Sequence, residues 1–312
     1  MNLQLVFQQY AAFRKTLGER FATNARTLKA FCHAMGPGIE IAEVSPEKVS
    51  AFLVGKGPLT TSWHVRRNAL VGFYRYAISR GFVTTSPLPV TIPQISTTFR
   101  PYIYSLSELW RILDAAETSR RSNSDLDASV LHALILLMYG AALRPSEVLS
   151  LTISDVDLCG ALLTIRDSKF FKSRLVPLGP KTVRVLVDYI RHRDSAVRKP
   201  KDLFFVDRNS KPIPIHKFER AFKQIRLHAG LRREGGSRCQ PRLHDLRHTS
   251  AVHRLISWYR EGKDVQQLLP QLSVYMGHTY LSATQTYISL TPDLLHQANL
   301  RFERYAIPGG RQ

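Results

Sequence analysis

Four short stretches carry side chains whose types and spacing suit chemistry on a phosphate ester. In residues 242–254, Arg-Leu-His-Asp-Leu-Arg-His-Thr-Ser-Ala-Val-His-Arg, His244 and Arg247 stand three apart, so a helix would set both on one face. Arginine brings five fixed donors and a permanent charge, and histidine gives or takes a proton near neutrality. A surface helix with an unrelated Arg and His would read the same way, so the pair gains weight only from the other stretches. Arg144 lies at a break before Pro145, with Glu147 placed to hold its guanidinium; the plainer alternative is an ion pair at a helix start. Lys169 and Lys172 fall at the tip of an expected hairpin, where either ammonium could protonate a leaving oxygen or simply face water. His278 follows Gly277, and Tyr287 lies nine residues later. A phenol is a poor nucleophile until a cationic pocket stabilises its oxygen. Tyr275 and Tyr280 compete for that role, and a tyrosine on an apolar helix is more often core.

Other chemistries find less support. His244 and His248 stand four apart and could share a metal, but Asp245 stands where the zincin pattern has glutamate. No acidic cluster suggests a two-metal nuclease, and no glycine-rich phosphate loop suggests nucleotide hydrolysis. The residue set requires no metal and no other cofactor.

The positioning elements must come from a chain of 312 residues, long enough for two domains with cores of their own. Net charge is +20, of which +8 falls in residues 1–100, so both domains are basic and suit a long polyanion better than one small anion. The three scattered cysteines, Cys32, Cys159 and Cys239, form neither a metal motif nor a disulfide framework, which fits a cytoplasmic protein. No secretory pattern opens the chain, and the most apolar run, residues 130–143, is short for a membrane span and reads as a buried helix.

Residues 1–83 read as helical. Residues 2–15 and 61–80 carry apolar side chains at helical spacing, and Ser45-Pro46-Glu47 opens a helix through Leu53. In 61–80, Trp63, Leu70, Phe73, Tyr74 and Ile78 are expected in a core. Arg66, Arg67 and Arg75 are left to face out, along a DNA groove or into water. Residues 84–101, rich in proline, threonine and serine, read as a linker. The second domain, from 102 to 312, opens with the capping box Ser105-Leu-Ser-Glu108. After it come a polar loop at 118–127, the buried helix, and a hairpin of residues 162–166 and 174–178. A helix from Pro180 to about His192, a short strand at 203–206, a helix at 215–229 and a basic loop at 230–240 follow. Leu243, Leu246, Ala251 and Leu255 are expected to anchor the His244 helix in a core. The fold class is mainly α with a small β-hairpin or sheet.

Taken in order, Arg144 in Leu-Arg-Pro-Ser-Glu-Val, Lys169 ahead of Arg-Leu-Val-Pro-Leu, His244-Asp-Leu-Arg247-His-Thr-Ser-Ala, Met-Gly-His278 and Tyr287 resemble the tyrosine recombinases, the phage-integrase family that includes the Xer proteins. The resemblance covers residues 105–295. It implies a helical core-binding domain followed by a catalytic domain, the two closing around double-stranded DNA. It further implies that Tyr287 attacks a scissile phosphate to form a 3′-phosphotyrosyl link and free a 5′-hydroxyl, without metal or ATP. Arg144 and Arg247 would clamp the phosphate oxygens, Lys169 would protonate the leaving oxygen, His244 would assist proton transfer from the tyrosine, His278 would hydrogen-bond the phosphate, and Glu147 would brace the site.

Lys172, Arg174, Arg232, Arg233 and Arg238 join Arg66, Arg67 and Arg75 as candidate DNA contacts. A homotetramer on two DNA sites, associated with the nucleoid when bound, would be the working assembly, with residues 291–312 docking on a neighbouring protomer. A silent DNA-binding protein of the same fold and a type IB-like topoisomerase are the alternatives. Two features depart from the pattern: Ala-Ala-Leu precedes Arg144 where a glycine is common, and 30 residues separate Arg247 from His278, with 257–270 reading as an insertion.

Overall fold

The computed structural model describes the chain except residues 20, 95–100, 119–125, 167–172, 194–198, 237–238, 279, 286, 288–295, 297–298 and 301–312. The chain divides into two units, Met1–Phe99 and Arg100–Gln312.

The first unit contains helices α1 (Leu3–Thr16), α2 (Ala22–Met35), α3 (Pro46–Val54) and α4 (Ser62–Ser79). The local signals act as read. Asn2 caps α1 by accepting from the N–H groups of Gln4 and Leu5, and Ser45 caps α3 with Pro46 in its first turn. Helix α4 packs on the other three and buries Trp63, Leu70, Phe73 and Tyr74. Ile78 differs from expectation. It is 41% exposed and lines a groove between α4 and the segment with Ser86, Leu88, Pro89 and Val90.

Arg66 also differs. It does not project from α4: its Nη1 donates to the carbonyls of Phe52 (3.0 Å) and Leu53 (3.1 Å), satisfying orphan acceptors at the end of α3. Arg75 is exposed, and Arg67 is half-buried.

In the second unit, α5 (Leu106–Thr118) starts at a closed capping box. Glu108 accepts from the Ser105 N–H at 2.8 Å, and Ser105 Oγ accepts from the Glu108 N–H at 3.2 Å. Helix α6 (Ala128–Gly140) is the centre of the core, with Val130, Leu131, Leu134, Leu137 and Met138 buried on more than one face, so its sequence is apolar nearly all round. The chain turns into α7 (Pro145–Leu149) and then into an antiparallel sheet of β1 (Val156–Asp157), β2 (Leu162–Ile165) and β3 (Arg174–Pro177), in which Leu163 faces Val176.

Helices α8 (Pro180–His192) and α9 (Ile215–His228) pack against α6. The expected strand at 203–206 reduces to two isolated bridges, Thr152 to Leu203 and Val206 to Pro212. Proline has no N–H with which to extend the second of them.

Helix α10 (Asp245–Arg260) joins two cores. Leu243, at its entry, and Leu246 enter the large core around α6. Ala251, Val252 and Leu255 enter a smaller one with α11 (Val265–Met276), Ala142 and Tyr287. Residues 257–270 are mostly helical: α10 ends at Arg260, Asp264 caps α11, and Pro270 lies within it. A short helix, α12 (Ser282–Gln285), then leads to Tyr287.

Candidate active site

The site forms where three chain breaks meet one helix start. At the α6–α7 break, Arg144 is extended (φ −75°, ψ 150°) and Pro145 begins α7, so the side chain is thrown sideways from the helix mouth. Glu147 holds it there. The Arg144 N–H donates to Glu147 Oε2 at 2.9 Å, and Nη1 donates to Oε1 at 2.6 Å. Arg144 Nη2 donates to the Gly277 carbonyl at 2.8 Å, binding the α7 start to the α11 end. The side chain keeps 21% exposure, against 1% for Arg247.

A second arginine reaches the same carboxylate. Arg174, at the start of β3, donates from Nη1 and Nη2 to the two Glu147 oxygens, each at 2.9 Å, and from Nε to the Tyr275 carbonyl at 2.9 Å. Arg174 is therefore a buried brace and not the exposed DNA contact expected of it. Glu147 is 5% exposed. Burial alone would raise its carboxyl, but the hydrogen bonds and charges of Arg174 and Arg144 outweigh burial and hold it at about 2.

Gly277 is required twice over. Its φ of +65° is left-handed, and a Cβ there would stand 2.7 Å from Arg174 Nη1.

Arg247 lies beneath this pair. It is 1% exposed, its Nη1 donates to the Ala142 carbonyl and its Nη2 to that of Met276, and Nη1 stands 4.0 Å from Glu147. Ala142 presents its carbonyl from a left-handed φ of +50°, a conformation that costs an L-residue about 1–2 kcal/mol. The position where a glycine is common thus keeps a glycine-like backbone. Arg247 ties the ends of α6 and α11 together from below and does not stand open as a free clamp. Burial, with Arg144 near, lowers it to about 9, still cationic at neutral pH.

Two histidines, His248 and His278, flank the tyrosine, and a third, His244, packs on His248. His244 caps α10 in sequence position, and its ring packs edge-on against that of His248 with centroids 4.9 Å apart. His278 bonds Thr284 Oγ1 through Nδ1 at 2.7 Å and lies nearly parallel to the Tyr287 ring, centroids 6.1 Å apart. Tyr287, 4% exposed, meets His248: its Oη lies 3.0 Å from His248 Nδ1. Burial, followed by the charge of Arg247, lowers His244 and His278 to about 4. Burial, followed by His244, Arg242 and Arg247, lowers His248 to about 3. All three are neutral at neutral pH. Burial raises the Tyr287 phenol against the pull of Arg247 and Arg144.

A family model described as the phage integrase family matches residues 105–293. The chain belongs to the phage integrase family. Its relatives include y4rB of Sinorhizobium fredii (strain NBRC 101917 / NGR234), a candidate integrase/recombinase by its name, at 32% identity over 95% of this chain and 96% of that one. The tyrosine recombinase XerD of Rhizobium meliloti (strain 1021) is 28% identical, covering 94% and 91%. Among solved structures, a lambda integrase tetramer bound to a Holliday junction superposes with a TM-score of 0.65 at 20% identity, covering 90% of this chain and 78% of that one. Membership makes this protein a site-specific tyrosine recombinase, a DNA breaking-rejoining enzyme.

Within this tyrosine recombinase, the structure brings Arg144, Glu147, His244, Arg247, His278 and Tyr287 into one cluster. Lys169, Lys172 and Arg238 lie outside the described residues, as does nearly all of 291–312. Arg232 and Arg233 are exposed on the loop before α10.

The resemblance implied that His244 assists proton transfer from the tyrosine; the ring that meets the hydroxyl in the structure is that of His248, which the sequence alone did not single out for this role. Its spacing was a usable signal: it sits four residues after His244 and so shares that helical face. Among the described residues no three His, Cys, Asp or Glu side chains gather as a metal site would need. No helix searched among them is long and apolar enough to cross a membrane.

Proposed function

We propose that a scissile DNA phosphate docks on this cluster and that Tyr287 Oη displaces the 5′-oxygen, leaving a 3′-phosphotyrosyl link that a second 5′-hydroxyl later resolves. One observation carries the reading: Arg144, Arg247, three histidines and a buried phenol converge from three stretches far apart in the chain. Phosphoryl transfer depends chiefly on positioning and charge stabilisation, and guanidinium groups supply both. Arg144, the more exposed of the two arginines, contacts a non-bridging oxygen. Arg247 adds charge from beneath, and His278 and His244 present ring N–H groups around the rim. Glu147 and Arg174 hold Arg144 in register. Lys169, on the segment joining β2 and β3, protonates the leaving 5′-oxygen. The link conserves bond energy, so rejoining needs neither ATP nor a metal.

The basic charge of both units supports double-stranded DNA as partner, with Arg67, Arg75, Arg232 and Arg233 on the phosphate backbone and affinity falling steeply with salt. The lambda integrase tetramer on its junction supports a homotetramer on two sites, with the tail from residue 291 docking between protomers. Such work takes place on the nucleoid, in the cytoplasm. The test is a duplex nicked close to the cleaved bond, so that the short 5′-terminal strand is lost and the link is trapped. Wild-type protein becomes covalently attached in the presence of EDTA, and Tyr287→Phe does not. A metal-dependent nuclease would stop with EDTA, and a silent binder would never attach.

A further inference from the structure

A phenol that attacks phosphorus must lose a proton, and Tyr287 is walled off from water. Its ring belongs to the small apolar core with Ala142, Val252, Leu255 and Met276. The acceptor must therefore come from the protein. His278 is badly placed: its Nδ1 is engaged by Thr284 and its ring lies face to face with the phenol, with an interplanar angle of 24°. His244 lies one helical turn away, and its ring contact is edge-on with His248 at 4.9 Å between centroids. His248 Nδ1, at 3.0 Å from Oη, is within the reach a general base needs.

We infer that His248 is a catalytic base of this enzyme. It receives the Tyr287 proton as the Oη–P bond forms and returns it when the DNA is rejoined. The inference rests on Tyr287 being the nucleophile.

The helix that carries His248 is fixed on both sides. Arg247 is bonded to Ala142 and Met276, and Thr249 accepts from the Tyr104 N–H at 3.0 Å and donates to the Asp245 carbonyl at 2.8 Å. These bonds hold the helix backbone on either side of His248 in place. The groups around it are His244, Arg242, Arg247, His278 and Tyr287, and burial first, then the charges of the arginines, keeps the imidazole neutral, the form that can accept. An arriving phosphate brings the compensating negative charge, so the imidazole becomes more basic as the substrate binds.

The step balances. Oη–H passes its proton to Nδ1, Oη bonds phosphorus, the P–O5′ bond breaks, and O5′ takes a proton from a separate acid. In rejoining, a 5′-hydroxyl attacks phosphorus and gives its proton to that acid, while the departing Oη retrieves its own from Nδ1.

The test uses the full chain and nicked duplexes drawn from a random-sequence pool by covalent capture with wild-type protein. His248→Ala should slow single-turnover attachment by about 10²–10⁴-fold with DNA affinity unchanged. Its rate should climb roughly tenfold per pH unit, as the phenol ionises unaided, where the wild type is flat. His248→Gln, which can accept a hydrogen bond but not a proton, should stay slow. A bridging 5′-sulfur, which leaves without protonation, should not rescue either variant.

The assignment is overturned if the glutamine variant attaches at the wild-type rate, if the alanine variant keeps the wild-type pH profile, or if sulfur restores the rate. Capture of Tyr287→Phe, or no capture by the wild type, would instead remove the nucleophile reading and this assignment with it.

Discussion

Replacing Glu147 with glutamine keeps the shape of the side chain and removes one buried negative charge from between two guanidinium groups. In the native protein that carboxylate accepts two bonds from Arg174 and two from Arg144, and its carboxyl is held at about 2 against an ordinary 4.5. At about 1.4 kcal/mol per unit, the difference amounts to roughly 3 kcal/mol of stability. That value agrees with the ~3–5 kcal/mol typical of breaking a buried ion pair by removing one partner.

Because the folded carboxyl lies below the unfolded one, the contribution is complete above pH 4.5 and is lost as pH falls towards 2. Glu147→Gln should therefore lower stability by about 3 kcal/mol at pH 7, or ~6–12 °C in Tm for a unit of this size. The deficit should shrink below pH 4.5. Urea melts of both proteins between pH 3 and 7, followed by far-ultraviolet circular dichroism, read it directly. A deficit under ~0.5 kcal/mol at pH 7, or one that stays constant into acid, would refute the argument that Arg174 and Arg144 depend on this charge.

Acid should weaken the second unit through its histidines. His244, His248 and His278 fall to about 4, 3 and 4 from 6.5, so below pH 6.5 the unfolded chain binds protons that the folded one refuses. Stability then drops by at most ~4 kcal/mol per pH unit for three such groups, and His278→Gln should flatten the slope by about a third; urea midpoints from pH 7 to 5 measure both. Thr249→Val should cost about 1–3 kcal/mol, since the buried Tyr104 N–H loses its acceptor, and faster amide exchange at Tyr104 should accompany the loss.

What could be read from the chain depended on how far apart the partners lie. The Arg144 break, its clasp by Glu147, the Ser105–Glu108 box and the apolar α6 all follow from neighbours within one or two turns, and local backbone chemistry decides them. The pairing of Arg174 with Glu147 spans 27 residues, and that of His248 with Tyr287 spans 39. In a chain of 44 basic residues, an arginine on a hairpin looks like any other phosphate contact until the carboxylate behind it is seen. Arg66 shows the same limit. Its helical face pointed outward, yet two unsatisfied carbonyls at the end of α3 drew it in. Side-chain type fixes what a residue can bond, and tertiary packing chooses the partner.

The seat of Arg247 bears on how activity would fade in descendants of this chain. Its grip on the carbonyls of Ala142 and Met276 holds two helix ends in place whether or not any strand is ever cut. A lineage that stopped cutting would still be obliged to keep it, while phenylalanine could fill the space of Tyr287 at little harm to packing. The single phenolic oxygen, and not the arginine, is then the atom to look for when asking whether such a protein still works.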